Sequence, residues 1–180
     1  MFYILLLNMN DGILEVIDKI RQYKITGFWH FTDHSNVDLI NEHKGILSLR
    51  QIVEKGLEVP APGGNDWSHD ADRQKDLDKY VHLTFLPNHP MLFVAKKEER
   101  IKNPIWLKID TTIINDSDVR FTTDVSNKND VPILDNNQAR VWTQLIQHFI
   151  AKSWSIARKF LAVFSKRVAN RRISFILQKN

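Results

Sequence analysis

Cysteine is missing from all 180 residues of the chain, which excludes disulfides, thiolate metal sites and a cysteine nucleophile together and leaves nothing to tie it to an oxidising compartment. Glutamate is scarce and early: Glu15, Glu42, Glu54, Glu58, Glu98 and Glu99, with none beyond position 99. Acidic residues of either kind end at Asp135, so residues 136 to 180 hold nine Lys or Arg against no carboxylate, while the first 135 hold the other 16 basic residues against all 21 acidic ones. Long hydrophobic runs are also lacking. Met1 to Leu7 is apolar but stops at Asn8, Asn10 and Asp11, too short to span a bilayer and without the basic start of a signal peptide, so the cytoplasm is the expected location and a membrane partner is not expected. Glycine and proline, six of each, gather only at Pro60-Ala61-Pro62-Gly63-Gly64-Asn65, which reads as an exposed loop and lacks the Lys-Ser/Thr and following helix of a phosphate-binding loop. No repeat of twenty to fifty residues is present, which argues against a solenoid or propeller.

The length suits one globular domain with a tail. Ile13, Val16, Ile17 and Ile20 recur at helical spacing within residues 10 to 23 and predict an N-terminal cover helix. Gly27 to Thr32 reads as an aromatic-rich strand, followed without a linker by a short helix over 33 to 41, with Asp33 or Ser35 suited to cap it. Lys44 to Ser48 turns into an extended segment, Leu49 to Lys55 can form a short helix, and 66 to 78 is polar with helical potential. Residues 80 to 85, 91 to 95 and 104 to 109 have strand character, with turns at Pro87-Asn88 and Lys102-Asn103. From Val141 onward apolar residues fall three or four apart, which predicts a basic helical tail. The fold class expected is therefore α+β, with a mixed β core.

Two stretches carry most of the functional signal: Trp29-His30-Phe31-Thr32-Asp33-His34-Ser35-Asn36, and Tyr80-Val81-His82-Leu83-Thr84-Phe85 with Asn88-His89-Pro90-Met91. On spacing alone His30 reads as a hydrogen-bonded core histidine, Leu39 and Leu47 as core, Tyr80 as an ordinary strand aromatic, and Arg73 as a solvated partner of Asp70, Asp76 or Asp78. His30 and His34 are four apart, but a strand-to-helix change separates them and no His-Glu-x-x-His pattern accompanies them, so a metal site is not expected.

From about Ile25 to Asp135 these residues resemble the single-stranded DNA ADP-ribosyltransferase toxin family (DarT), whose members open with a His-x-Thr strand end, an Asn-Leu-containing helix and a Gly-x-Leu turn. The resemblance implies an ADP-ribosyltransferase-like fold and NAD as substrate, without a metal. His30, Phe31 and Thr32 would then form the NAD floor, with Asn36, Leu39, Leu47 and Tyr80 lining the same pocket. Arg73 would bind the NAD phosphates and act in catalysis. Neutral imidazole suits the floor because it can both donate to and accept from a ribose hydroxyl.

The implied reaction moves ADP-ribose from NAD to a nucleobase of single-stranded DNA, and the implied partners are that DNA and a macrodomain antitoxin. The family's catalytic glutamate comes late in the domain, before an apolar strand, yet Arg172-Ile173-Ser174-Phe175-Ile176-Leu177 offers the strand character without a carboxylate. Glu98 and Glu99 read as a solvated turn. The sequence thus implies a division into a helical cover (1 to 24), an incomplete transferase domain (25 to 135) and a non-native basic tail (136 to 180) replacing the true end through a disrupted reading frame, with impaired activity. A reading from another class is a noncatalytic nucleic-acid or membrane-surface binder, using the tail's charges with Trp142, Phe149, Trp154, Phe160 and Phe164 between them.

Overall fold

The structure, a computed structural model, describes residues 11–22, 24–85, 87, 89–122, 126, 130–135, 138, 162–165, 167–169 and 173–176. Helix α1 (Asp11–Gln22) lays Ile13, Val16 and Ile20 into the core, as their spacing requires. Strand β1 (Phe28–Asp33) runs into a 3₁₀ turn (His34–Asn36) and helix α2 (Val37–Glu42). Asp33 caps this turn by accepting the Ser35 backbone N–H. Strand β2 (Gly45–Leu47) leads to helix α3 (Leu49–Glu54), where Ser48 and Gln51 close a reciprocal capping box. Helix α4 (Asp66–Gln74) starts on an Asn65 cap and precedes strand β3 (Val81–Thr84).

Residues 91–95, expected as a strand, lie in helix α5 (Pro90–Lys97). The reason is local: Pro90 occupies the first helical turn, where its missing N–H costs nothing, and His89 Nδ1 accepts the Met91 N–H as a cap. Strand β4 (Pro104–Ile109), a 3₁₀ turn (Thr111–Asn115) and strand β5 (Arg120–Thr122) follow. The expected turn at Pro87-Asn88 falls partly outside the described residues.

The tail departs most from expectation. Where helical spacing up to Val168 predicted helix, the chain forms β6 (Ala162–Ser165) and β7 (Arg167–Ala169), and the run from Arg172 to Leu177, read as having strand character, holds β8 (Ile173–Ile176). The expected helix over 141–161, with Trp142, Phe149, Trp154 and Phe160, lies outside the described residues. Apolar residues at 161, 164 and 168 fit a helical stripe, but Ala162 to Ser165 and Ile173 to Ile176 are equally short apolar runs. Pairing with open strand edges decides for the strand.

Among the described residues, one antiparallel sheet has the order β5-β6-β3-β1-β4-β8, and β2 pairs with β7 in a second. β1 and β4 align from Phe28↔Ile109 to Asp33↔Pro104, whereas β1 and β3 meet only at Trp29↔Thr84. Phe28, Leu83, Leu107, Ile109 and Phe121 are fully buried between the sheet and its covering elements. No helix among the described residues is long and apolar enough to cross a membrane.

Candidate active site

The cavity follows from the divergence of β1 and β3. Beyond their single backbone pair the strands separate, and His30 bridges the gap with its side chain: Nδ1 lies 3.0 Å from the His82 carbonyl oxygen. A carbonyl can only accept, so Nδ1 carries the proton and donates. Burial, opposed by that hydrogen bond and aided by nearby His82, holds the His30 pKa below its ordinary value. The ring is therefore neutral near pH 7, and its Nε2 keeps a lone pair for a ligand hydroxyl.

The opening is a cavity of about 310 Å³ whose wall includes His30, Phe31, Thr32, Asn36, Leu39, Leu47 and Tyr80. Seven of the residues singled out from sequence are thus brought to one surface. Thr32 and Asn36 are buried and joined: Asn36 Nδ2 donates to Thr32 Oγ1 at 2.9 Å and to the Ala61 carbonyl at 2.7 Å, while Asn36 Oδ1 accepts the Ala61 N–H at 3.0 Å. Asn36 therefore pins the Pro60 to Gly64 loop across the strand end. Arg100 holds the same loop by donating to the Gly63 carbonyl, and the loop packs on the rings of Phe31 and His69. This glycine- and proline-rich segment is a wall of the cavity, a role that the expectation of a merely exposed loop missed.

The structure does not place Arg73 on that surface. It sits half-exposed on α4, paired with Asp70 at 2.7 Å. On α4, Ser68 and Asp72 line the cavity, and so does His69, four residues before Arg73 on the same helix face. Arg73 lies in the last turn of the helix with its guanidinium turned to Asp70. Besides Arg100, the arginine tied to the cavity wall is Arg50, which follows the lining residue Leu49 and forks onto the lining residue Asp78 at 2.6 and 3.3 Å, with Asp76 at 2.5 Å. Sequence position near the second motif pointed to Arg73, which the structure pairs with Asp70 beside the cavity-lining His69. Glu98 and Glu99 lie in the turn after α5, as expected of a solvated segment, and Glu98 pairs with Arg100.

Further polar residues line the cavity without having been singled out, among them His69, Asp72, His82 and His89. His82 and His89 lie within the quoted motif stretches, and His69 and Asp72 lie in the polar stretch from 66 to 78, so helical and strand periodicity was the unused signal. Asp72 is largely buried, with Oδ2 3.9 Å from His82 Nε2 and no hydrogen-bond partner for Oδ1. Burial raises its pKa above the ordinary carboxylate value, against the pull of His82 and His69. Burial and nearby His82 drive His89 down to about 4.

These shifts give a pH signature. His30 and His89 bind protons less readily folded than unfolded, so the stability they contribute is complete above the unfolded value of 6.5 and is lost as pH falls towards about 4, the folded value of His89. Urea midpoints measured from pH 7.5 to pH 4.5 should fall across this window, and His89→Gln should flatten part of the fall. A midpoint unchanged over that range would contradict the assignment.

A family model described as "ssDNA thymidine ADP-ribosyltransferase, DarT" matches residues 29–171. It runs through β6 and β7, past Asp135 where the resemblance read from sequence ended. No curated protein matches the chain. Among solved structures, Thermosipho africanus DarTG in complex with ADP-ribose is similar with a TM-score of 0.67 and 19% identity, over 86% of this chain and 44% of that one. Thermus sp. 2.9 DarT in complex with ADP-ribosylated ssDNA gives 0.66 and 15%, over 87% of this chain and 83% of that one. The same Thermus protein in complex with NAD+ gives 0.60 and 16%, with the same coverage. The chain thus spans under half of the Thermosipho structure's chain and most of the Thermus one. At these identities the likeness is one of fold.

Proposed function

Since the chain belongs to the DarT family of ssDNA thymidine ADP-ribosyltransferases, we propose that it moves ADP-ribose from NAD to thymidine in single-stranded DNA within the cavity between β1 and β3. The observation that carries this reading is the His30 bridge: a neutral imidazole, fixed by the His82 carbonyl, presents one acceptor nitrogen at the floor of a cavity also lined by Phe31, Thr32 and Tyr80. A ribose hydroxyl donating to Nε2 would be held without added charge, leaving the positive nicotinamide ring free to meet aromatic surface. NAD is a substrate in this reading, and the site needs no metal.

Asn36 acts through the loop and Thr32. Leu39 and Leu47 supply apolar wall, and the dinucleotide's phosphates would meet the Arg50 side of the cavity in place of Arg73. The tail strands β6 and β8 extend the main sheet on either side of β3 and β4, which supports a domain continuous to at least residue 176 rather than one ending at 135. A macrodomain antitoxin that removes the mark is proposed on the family resemblance, and a cytoplasmic setting on the absence of cysteine. The basic-tail binding alternative finds no comparable site among the described residues.

The test is transfer of label from NAD to an oligonucleotide carrying one thymidine, beside a thymidine-free control. Label on the first alone is expected, and His30→Ala should weaken NAD binding about tenfold or more through loss of a hydrogen bond and the packing around it. Equal labelling of both oligonucleotides, or NAD binding indifferent to His30→Ala, would refute the reading.

A further inference from the structure

We propose that Asp72 is the catalytic carboxylate of this chain. The proposal rests on the transferase reading above and extends it to the reacting atoms. Breaking the nicotinamide glycosidic bond leaves positive charge on the ribose, and the site must oppose it with negative charge held ready. The chain has no glutamate after Glu99, and none of its six glutamates lines the cavity. Among the described lining residues the carboxylates are Asp72 and Asp78. Asp78 is committed to Arg50 through both oxygens.

Asp72 differs in each respect that matters. Its Oδ1 is buried without a hydrogen-bond partner, and its Oδ2 lies 3.9 Å from His82 Nε2. A buried carboxylate held for structure has its oxygens occupied by donors, as those of Asp33 are. Asp72 instead lines the cavity with its Oδ1 met by no donor, so its negative charge is not taken up by a structural hydrogen bond. Asp72 and His30 also converge on one residue, since Asp72 faces the His82 ring and His30 bonds the His82 carbonyl. The carboxylate therefore stands near the proposed NAD floor, carried there by a different element, α4.

The step balances as follows. The bond between the nicotinamide nitrogen and the anomeric carbon breaks, and its electron pair leaves with nicotinamide, which becomes neutral. The ring nitrogen of thymine that bears hydrogen forms the new bond to the anomeric carbon. Its proton passes to the Asp72 carboxylate, which until then carries the negative charge facing the cationic ribose. Desolvation of Asp72 favours this uptake, because it makes the carboxylate a stronger base than one in water.

The experiment uses the full chain, NAD and the single-thymidine oligonucleotide, comparing the parent with Asp72→Asn and Asp72→Glu. Asp72→Asn keeps the shape and should lower kcat for transfer about 100-fold or more while NAD affinity by calorimetry stays within about threefold, and Asp72→Glu should recover a measurable part of the rate. Transfer by Asp72→Asn within about threefold of the parent overturns the assignment and leaves the transferase reading standing. A parent chain that transfers nothing overturns both. If Asp72→Asn fails to fold, Asp72→Glu decides: recovered transfer sustains the role, and intact NAD binding without transfer defeats it.

Discussion

Gly45→Ala should destabilise the protein by about 3 kcal/mol or more, enough to remove a large share of the stability of a domain this size. Two independent causes act at this position. The backbone has φ +151°, a conformation L side chains rarely adopt, and an added Cβ would lie 2.3 Å from the Val168 carbonyl oxygen. The obstacle is backbone of the paired strand β7, so no side-chain rotation relieves it. Gly56→Ala is the internal control: its φ of 62° imposes a left-handed cost of about 1–2 kcal/mol, but nothing lies within 4 Å of the new methyl group. Urea unfolding of both variants separates conformational strain from the clash. If the two substitutions cost the same, β7 does not sit against β2 as described. Because Gly45, Ile46 and Leu47 line the cavity, Gly45→Ala should also weaken NAD binding in whatever fraction remains folded.

Asp33→Ala should cost about 3 kcal/mol, since hydrogen bonds to a charged acceptor each contribute roughly 1.5–3 kcal/mol and water can reach part of what is left behind. The buried carboxylate accepts from the Ser35 N–H and Oγ through Oδ1, at 3.0 and 2.9 Å, and from the Lys102 and Asn103 N–H groups through Oδ2, at 2.8 and 2.7 Å. Burial by itself would raise its pKa, but these four donors outweigh burial and hold it below the ordinary value. The stability it supplies is thus complete above the unfolded value of 3.8 and is lost as pH falls through the lower folded value. Asp33→Asn is the informative companion, because its amide turns one acceptor into a donor aimed at backbone N–H groups. Thermal unfolding at pH 7 should rank the parent above both variants, and an unchanged midpoint for Asp33→Ala would refute the network. The site should suffer too, because Asp33 ends the strand that carries His30 and Thr32.

Much of the cavity was legible because its parts are consecutive in the chain. His30, Phe31 and Thr32 sit on one strand end and Asn36 on the turn Asp33 caps, so a short motif fixes both identity and geometry. Arg73 was chosen for its nearness in sequence to the second motif, and that nearness does not record that its guanidinium turns to Asp70 although His69, on the same face of α4, lines the cavity. Met91 to Ala95 misled because five apolar residues fit either period, and the helix is decided by His89 and Pro90 just before them. The tail misled for a related reason. Its apolar residues up to Val168 fit a helical stripe, but β6 and β7 exist through partners far away in sequence: β6 lies between β3 and β5, and β7 beside β2. No local pattern records an open strand edge about forty residues or more upstream. Asp72 was overlooked for want of a motif, since its interest comes from what it does not bond.

The single backbone pair between β1 and β3 also gives the main sheet a mechanical seam. On one side β1, β4 and β8 form a closely laddered raft, and on the other β3, β6 and β5 form a second, so the two are joined at Trp29 and Thr84 and by the His30 ring rather than by a continuous ladder. The softest deformation of such a sheet is a flexing of one raft against the other along that line, and a dinucleotide lodged in the gap would splint it. Part of the binding free energy would then go into lost vibrational and conformational freedom, which ties the affinity of the cavity to the stiffness of strands whose side chains never touch the ligand.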